Sequence, residues 1–191
     1  MLCHSFDFVA SADARVLIVG SMPSVRSIER AQYYAHPRNA FWPILFDTFK
    51  EERTDDYQAQ KALIRRHHLA LWDAAACCER EGSLDSQMRG IQFNDFDRLY
   101  RACPRLETVL CNGAAAYALF LRSGYAGDRR VMRMPSTSPA HTMAYEKKFR
   151  IWRDALCGAL EEGPCTGKEN RTCPEKETGM ENGRKTKEAG T

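Results

Sequence analysis

VLIVGSMPSVRSIERAQYYAHPRNAFW, residues 16–42, begins with an unbroken run of β-branched and apolar side chains, Val16 to Val19. That is the composition of a strand buried on both faces of a parallel sheet. Gly20 ends the run, and Pro23 holds the turn Gly20-Ser21-Met22-Pro23-Ser24 out of the sheet. Ligands in open α/β sheets bind beyond the carboxyl ends of the strands, so this turn is a candidate site floor. Residues 33–42, YYAHPRNAFW, then bring aromatic faces, a basic side chain and a carboxamide into one short segment. The mixture suits a flat heterocycle carried on a phosphate chain. A strand and glycine turn is also common in α/β domains, and Tyr33, Phe41 and Trp42 fit equally well as core.

Working outward, residues 1–13 read as an approach segment and residues 24–29 as a short helical turn. Residues 41–50, FWPILFDTFK, place Phe41, Ile44, Leu45 and Thr48 at helical spacing, with Pro43 tolerated in the first turn. A polar helix is expected over 57–67 and a second apolar strand over 69–75. Residues 77–94 read as a long charged surface loop, either a flap or simply solvated. A helix over 95–103, a strand over 107–111, an alanine-rich helix over 114–123 and a strand over 130–134 follow. Asn112 thereby occupies the same strand-end position as Ser21. The last helix, 144–160, turns Phe149, Trp152, Leu156 and Leu160 inward and leaves Lys147, Lys148 and Arg150 to solvent or phosphate.

The 191 residues suffice for one α/β domain, and the formal charge is +3. Residues 161–191 hold 6 Lys/Arg against 7 Asp/Glu, leaving 22 against 18 in residues 1–160, a mildly basic body. Beyond Gly163 large apolar side chains nearly vanish, so we expect a domain over 1–162 and a disordered charged tail over 163–191. The chain shows no apolar run of about 18 residues and no basic-then-apolar leader, which predicts a soluble cytoplasmic protein without a membrane partner. Its 8 cysteines read as reduced thiols. No CxxC pair occurs, so neither metal nor cofactor is expected.

Two strand-end signatures, GSMPS at 20–24 and STSPAH at 136–141, flank YYAHPRNAFW. Together they resemble the uracil-DNA glycosylase superfamily, and within it the hypoxanthine-DNA (deoxyinosine) glycosylase branch. Mismatch-specific uracil glycosylases share the AHP-x-N-x-FW pattern found here at Ala35 to Trp42. The resemblance spans residues 4–160. It implies a three-layer α/β/α fold with a central four-stranded, mostly parallel sheet. It implies also a monofunctional, monomeric enzyme that hydrolyses the N-glycosidic bond of a deaminated base in DNA without metal or cofactor, opening base excision repair. Uracil or xanthine as substrate, or a catalytically weakened lesion binder, remain alternatives.

By the same resemblance Gly20, Ser21 and Met22 floor the base pocket. Many relatives have a water-positioning Asp or Asn where this chain has Met22, and a thioether cannot orient water. The hypoxanthine branch places that load on the residue that is Asn39 here, which from its position alone could equally be a helix cap. Tyr34 matches the aromatic that stacks on a flipped base, with Phe41 beside it as a second ring or as core. Asn112 matches a base-reading carboxamide, or is an ordinary turn residue. The uracil enzymes carry His where this chain has Ser136 and a wedge Leu where it has Ala140. His141 or Met143 then fills the gap left by the nucleotide, and His141 could aid the departing base. Ser24, Arg38, Thr137, Ser138, Ala140 and Met143 are expected to touch DNA.

Overall fold

The structure, a computed structural model, describes residues 1–161; the tail expected over 163–191 lies outside them. Four parallel strands form its centre, in the order β3-β2-β6-β7: β2 is Val16–Gly20, β3 Leu69–Asp73, β6 Thr108–Asn112 and β7 Arg130–Met134. Val16, Leu17, Ile18 and Val19 are all fully buried. Successive strand side chains point to opposite faces, so the sheet is covered on both. Helix α5, Ala114–Ser123, packs along β2, β6 and β7, while α6, Tyr145–Glu161, packs on β2 and on α2, Phe41–Phe49. Helix α3, Tyr57–Arg66, packs on β3. The expected four-stranded parallel sheet is present, with boundaries within a few residues of those read from the sequence.

Residues 77–94 do not form the expected loop. Ala75–Glu79 is strand β4 and Arg89–Phe93 is β5, and these pair with an N-terminal strand, β1 (Leu2–His4), as an antiparallel sheet ordered β1-β4-β5. The partner of β4 lies over seventy positions away, Cys3 against Cys78. Register shifts between Ala75 and Cys77, and between Cys77 and Glu79, further erase the alternation that would announce a strand. Only residues 80–88 remain as a connection, containing a 3₁₀ turn at Asp85–Gln87. The six-residue α1, Val25–Arg30, follows the first signature, and α4, Phe96–Ala102, begins at its Asp95 cap.

Lys148 also departs from expectation. It is 4 % exposed, and its Nζ donates to the carbonyls of His141 at 2.7 Å and Ser138 at 3.3 Å. One turn along the same helix face, the Trp152 indole N–H donates to Pro135 O at 2.9 Å. Helix α6 therefore holds the 135–141 loop by three of its carbonyls, and burial lowers the pKa of the Lys148 amine. Lys148→Met keeps the stem but leaves two carbonyls unmatched, which costs about 1–3 kcal/mol for such groups. We expect a clearly lower melting temperature in calorimetry, with the secondary structure retained in circular dichroism.

Candidate functional site

The carboxyl ends of the parallel strands deliver Gly20, Asp73 and Asn112 to one edge of the sheet, with residues 136–138 following β7. A cavity of about 140 Å³ opens there. Of the residues singled out from the sequence, Gly20, Ser21, Met22, Ser24, Tyr34, Asn39, Asn112, Ser136, Thr137 and Ser138 line it. Arg38, Phe41, Ala140, His141 and Met143 are not among its lining residues. A larger depression of about 360 Å³ lies on the far side of residues 34–39 and shares Tyr34 and Asn39, but no residue of the second signature lines it. The smaller cavity is the candidate site, because both signatures converge there.

The two signatures are tied by hydrogen bonds. Ala40 N donates to Thr137 O at 3.0 Å. Asn112 Nδ2 donates to Thr137 Oγ1 and accepts, through Oδ1, from Thr137 N, both at 2.9 Å. Thr137 is 1 % exposed, so it fastens the loop from within. Ser136 Oγ accepts from Ser138 N, and Ser138 Oγ from Ala140 N, each at 3.2 Å. Gly113 has φ +98°, and a Cβ there would meet Ser136 Cβ at 3.1 Å. This is why Asn112 is followed by glycine.

Asn39 is engaged at the start of α2 and also lines the cavity. Its Oδ1 accepts from Phe41 N at 3.0 Å, steadying the start of α2, while the residue faces the cavity. Ser24 caps α1, its Oγ accepting from Ser27 N at 3.2 Å. Phe41 is 1 % exposed and stacks under Tyr34 with ring centroids 3.9 Å apart. Tyr34 stands at φ +54°, an uncommon backbone for a residue with a Cβ. Its hydroxyl is buried without a hydrogen-bond partner. His141 Nε2 is likewise buried and unpartnered, but away from the cavity.

Sequence reasoning missed two carboxyls. Asp73 is 3 % exposed and lines the cavity. Its Oδ2 accepts from Ser5 Oγ at 2.7 Å, while Oδ1 has no partner among the described residues. Burial pushes its pKa up to about 7; the Ser5 hydrogen bond and the Arg80 charge oppose the rise, and the charge on Asp85 adds to it. Asp85 Oδ1 accepts from Ser21 Oγ at 2.7 Å and lies 3.8 Å from Arg80 Nη1, and burial raises its pKa too. The Arg80 guanidinium is buried and donates to Pro23 O. A Cβ on Gly20 would fall 2.3 Å from Asp73 Oδ1 and 3.2 Å from the Tyr34 hydroxyl, so only glycine admits these groups. The signal for Asp73 was present: a carboxyl ends the otherwise apolar LALWD run, in register with Gly20. Asp85 had no such signal, because nothing local shows that its loop folds back.

The profile of the family described as "Uracil DNA glycosylase superfamily" matches residues 6–157. The chain is 32% identical over 155 residues to a protein of Methanosarcina acetivorans named hypoxanthine DNA glycosylase, covering 80% of this chain and 96% of that one. It is 31% identical over 157 residues to a protein of the same name from Methanosarcina barkeri, covering 80% and 97%. It resembles the solution NMR structure of a putative uracil DNA glycosylase from Methanosarcina acetivorans with TM-score 0.72 and 30% identity, over 85% of this chain and 100% of that one. No described helix is long and apolar enough to cross a membrane.

The raised Asp73 pKa predicts a pH dependence of stability. The folded state keeps the Asp73 proton at pH values where the unfolded chain has released it. Stability from the neutral carboxyl is complete below the ordinary carboxylate range and is lost as pH rises through about 7. Asp73→Asn, which cannot titrate, is therefore expected to gain melting temperature relative to the natural chain between pH 5 and pH 8. Carboxyl-carbon NMR should place the Asp73 midpoint near 7, and lower in Asp85→Asn.

Proposed function

The chain belongs to the uracil DNA glycosylase superfamily and is a DNA glycosylase; from that premise we propose that it releases hypoxanthine from deoxyinosine in DNA, in the cavity between its two signature loops. The observation that carries this reading is the convergence of residues 20–24, Asn39 and residues 136–138 on one cavity at the strand ends. The names of the two Methanosarcina relatives support hypoxanthine as the base.

A base inside a duplex is out of reach, so the nucleotide must leave the stack, at a cost of a few kcal/mol that is smallest where the pair is weak. The nucleotide then enters the cavity, which the Tyr34 ring, backed by Phe41, lines on one side. The C1′–N9 bond breaks with its electron pair on the base, the sugar becomes oxocarbenium-like, and a water oxygen bonds to C1′. The water gives up a proton, and the departing base takes one up at nitrogen. Met22 cannot orient that water. Asn39 can, because its Oδ1 has a second lone pair beyond the one held by Phe41 N, and its Nδ2 protons are free to donate. Ser136 supplies an uncharged donor for the charge developing on the base. Arg38 is exposed, and with the hydroxyl of Ser138 it grips flanking phosphates. Such contacts set position and weaken with salt. Ala140 is too small to fill the vacated stack, so His141 and Met143, both partly exposed, take that place.

Asn39→Ala should slow single-turnover release of hypoxanthine from a deoxyinosine duplex by about 10²- to 10³-fold, the usual effect of removing one such group. An unchanged rate would remove Asn39 from the reaction. Running deoxyuridine and deoxyxanthosine duplexes beside it separates the alternative substrates, and tight binding without an abasic product would mark a catalytically weakened binder. No lysine lines the cavity, so borohydride should trap no enzyme–DNA adduct.

A further inference from the structure

Asn112, the carboxamide expected to read the base, is engaged at both ends by Thr137. Two other polar groups at the cavity are not engaged. Asp73 Oδ1 has no partner among the described residues, and the Tyr34 hydroxyl is buried with none at normal hydrogen-bond geometry, the nearby Asn112 carboxamide only partly offsetting the upward push of burial on its pKa. Both converge above Gly20, which has no side chain to keep them apart. Buried polar groups in folded proteins are almost always matched, so the orphaned Tyr34 hydroxyl beside an open carboxylate oxygen points to a ligand that completes both. The scaffold behind them is rigid: Ser5 holds the other Asp73 oxygen at 2.7 Å, and Phe41 backs the Tyr34 ring.

We infer that Asp73 and Tyr34 read the lactam edge of the extruded base, the Asp73 carboxylate accepting its ring N–H and the Tyr34 hydroxyl donating to the neighbouring carbonyl. This rests on the glycosylase reading above and names the substrate class of the same cavity: bases that carry an N–H beside a C=O. Hypoxanthine, xanthine and uracil have that edge. Adenine and cytosine present a ring-nitrogen lone pair to the carboxylate and an amino group to the hydroxyl, leaving both protein groups unmatched. Deamination of adenine or cytosine creates the recognised edge, so the pair separates those two bases from their deaminated products. Guanine and thymine share the edge, and their sound pairing in the duplex opposes their extrusion.

The accepting form is the carboxylate, so release should fall as pH drops through the Asp73 midpoint near 7. Asp85 and Arg80 from the 80–88 connection, Tyr33 and Tyr34 from the segment before α2, and Tyr57 of α3 are the titratable or charged groups coupled to it. Asp85 holds that midpoint up and Arg80 draws it down.

The test is single-turnover release by the full chain, between pH 5.5 and 9, from matched duplexes containing deoxyinosine, 1-methyldeoxyinosine or mispaired deoxyadenosine. With the natural chain we expect an acid limb near pH 7, and at least a hundredfold loss when N1 is methylated, since a site built to hydrogen-bond a group rejects its absence strongly. In Asp73→Asn the acid limb should vanish. Its amide can turn to donate to adenine N1, so the deoxyadenosine-to-deoxyinosine rate ratio should rise at least tenfold. In Tyr34→Phe the rate should drop while the limb stays. Equal release of the methylated and unmethylated base by the natural chain would overturn this inference and leave the proposed function standing. No release from deoxyinosine would overturn the proposed function first. The methylated substrate needs no variant, so the test survives a variant that fails to fold.

Discussion

Residue Thr137 closes the molecule around its site. Its carbonyl accepts from Ala40 N, its amide donates to Asn112 and its hydroxyl accepts from the same carboxamide. Three segments separated by up to a hundred positions are thereby fixed to one another: the turn before α2, the end of β6 and the loop after β7. Lys148 and Trp152 hold the outer side of that loop through its carbonyls. Without these bonds the first signature would still form at the end of β2, but nothing would stand opposite it. The reacting geometry needs both walls at once, and misplacement by about 1 Å costs a catalytic site much of its rate.

The site's electrostatics are unusual for a protein that handles a polyanion. Two carboxyls, Asp73 and Asp85, face the cavity with one buried guanidinium behind them. Burial raises both acids, and the charge on Asp85 adds to the rise of Asp73. Such an arrangement is costly to fold and useful for discrimination, a compromise expected at functional sites. It also explains the first signature: Gly20 makes room for Asp73, Ser21 donates to Asp85, and Pro23 offers its carbonyl to Arg80.

Most of the parallel sheet was legible because its strands are locally marked. VLIVG, LALWD and TVLCN are apolar runs ended by turn residues, and AAAYALFLRS declares a helix. The antiparallel sheet was not legible, because β4 and β5 are short and irregular and find β1 only through a distant pairing. Lys148 was read as exposed since lysine nearly always is; three loop carbonyls waiting for a donor are a tertiary fact. In the site, the signature residues were found by their pattern, while Asn112 proved to be bound to Thr137 at both ends. Asp73 was overlooked although its place beside Gly20 follows from strand register alone.

The proposed reaction requires one extruded base lying between the 20–24 turn and the 136–138 loop. A crystal structure of the protein on a duplex carrying a deoxyinosine analogue with a hydrolysis-resistant glycosidic bond tests that most directly. The base should lie against Tyr34 in the cavity at the strand ends, with a water held by Asn39 facing C1′. A base still stacked in the duplex, or lodged in the larger depression beyond residues 34–39, would contradict it.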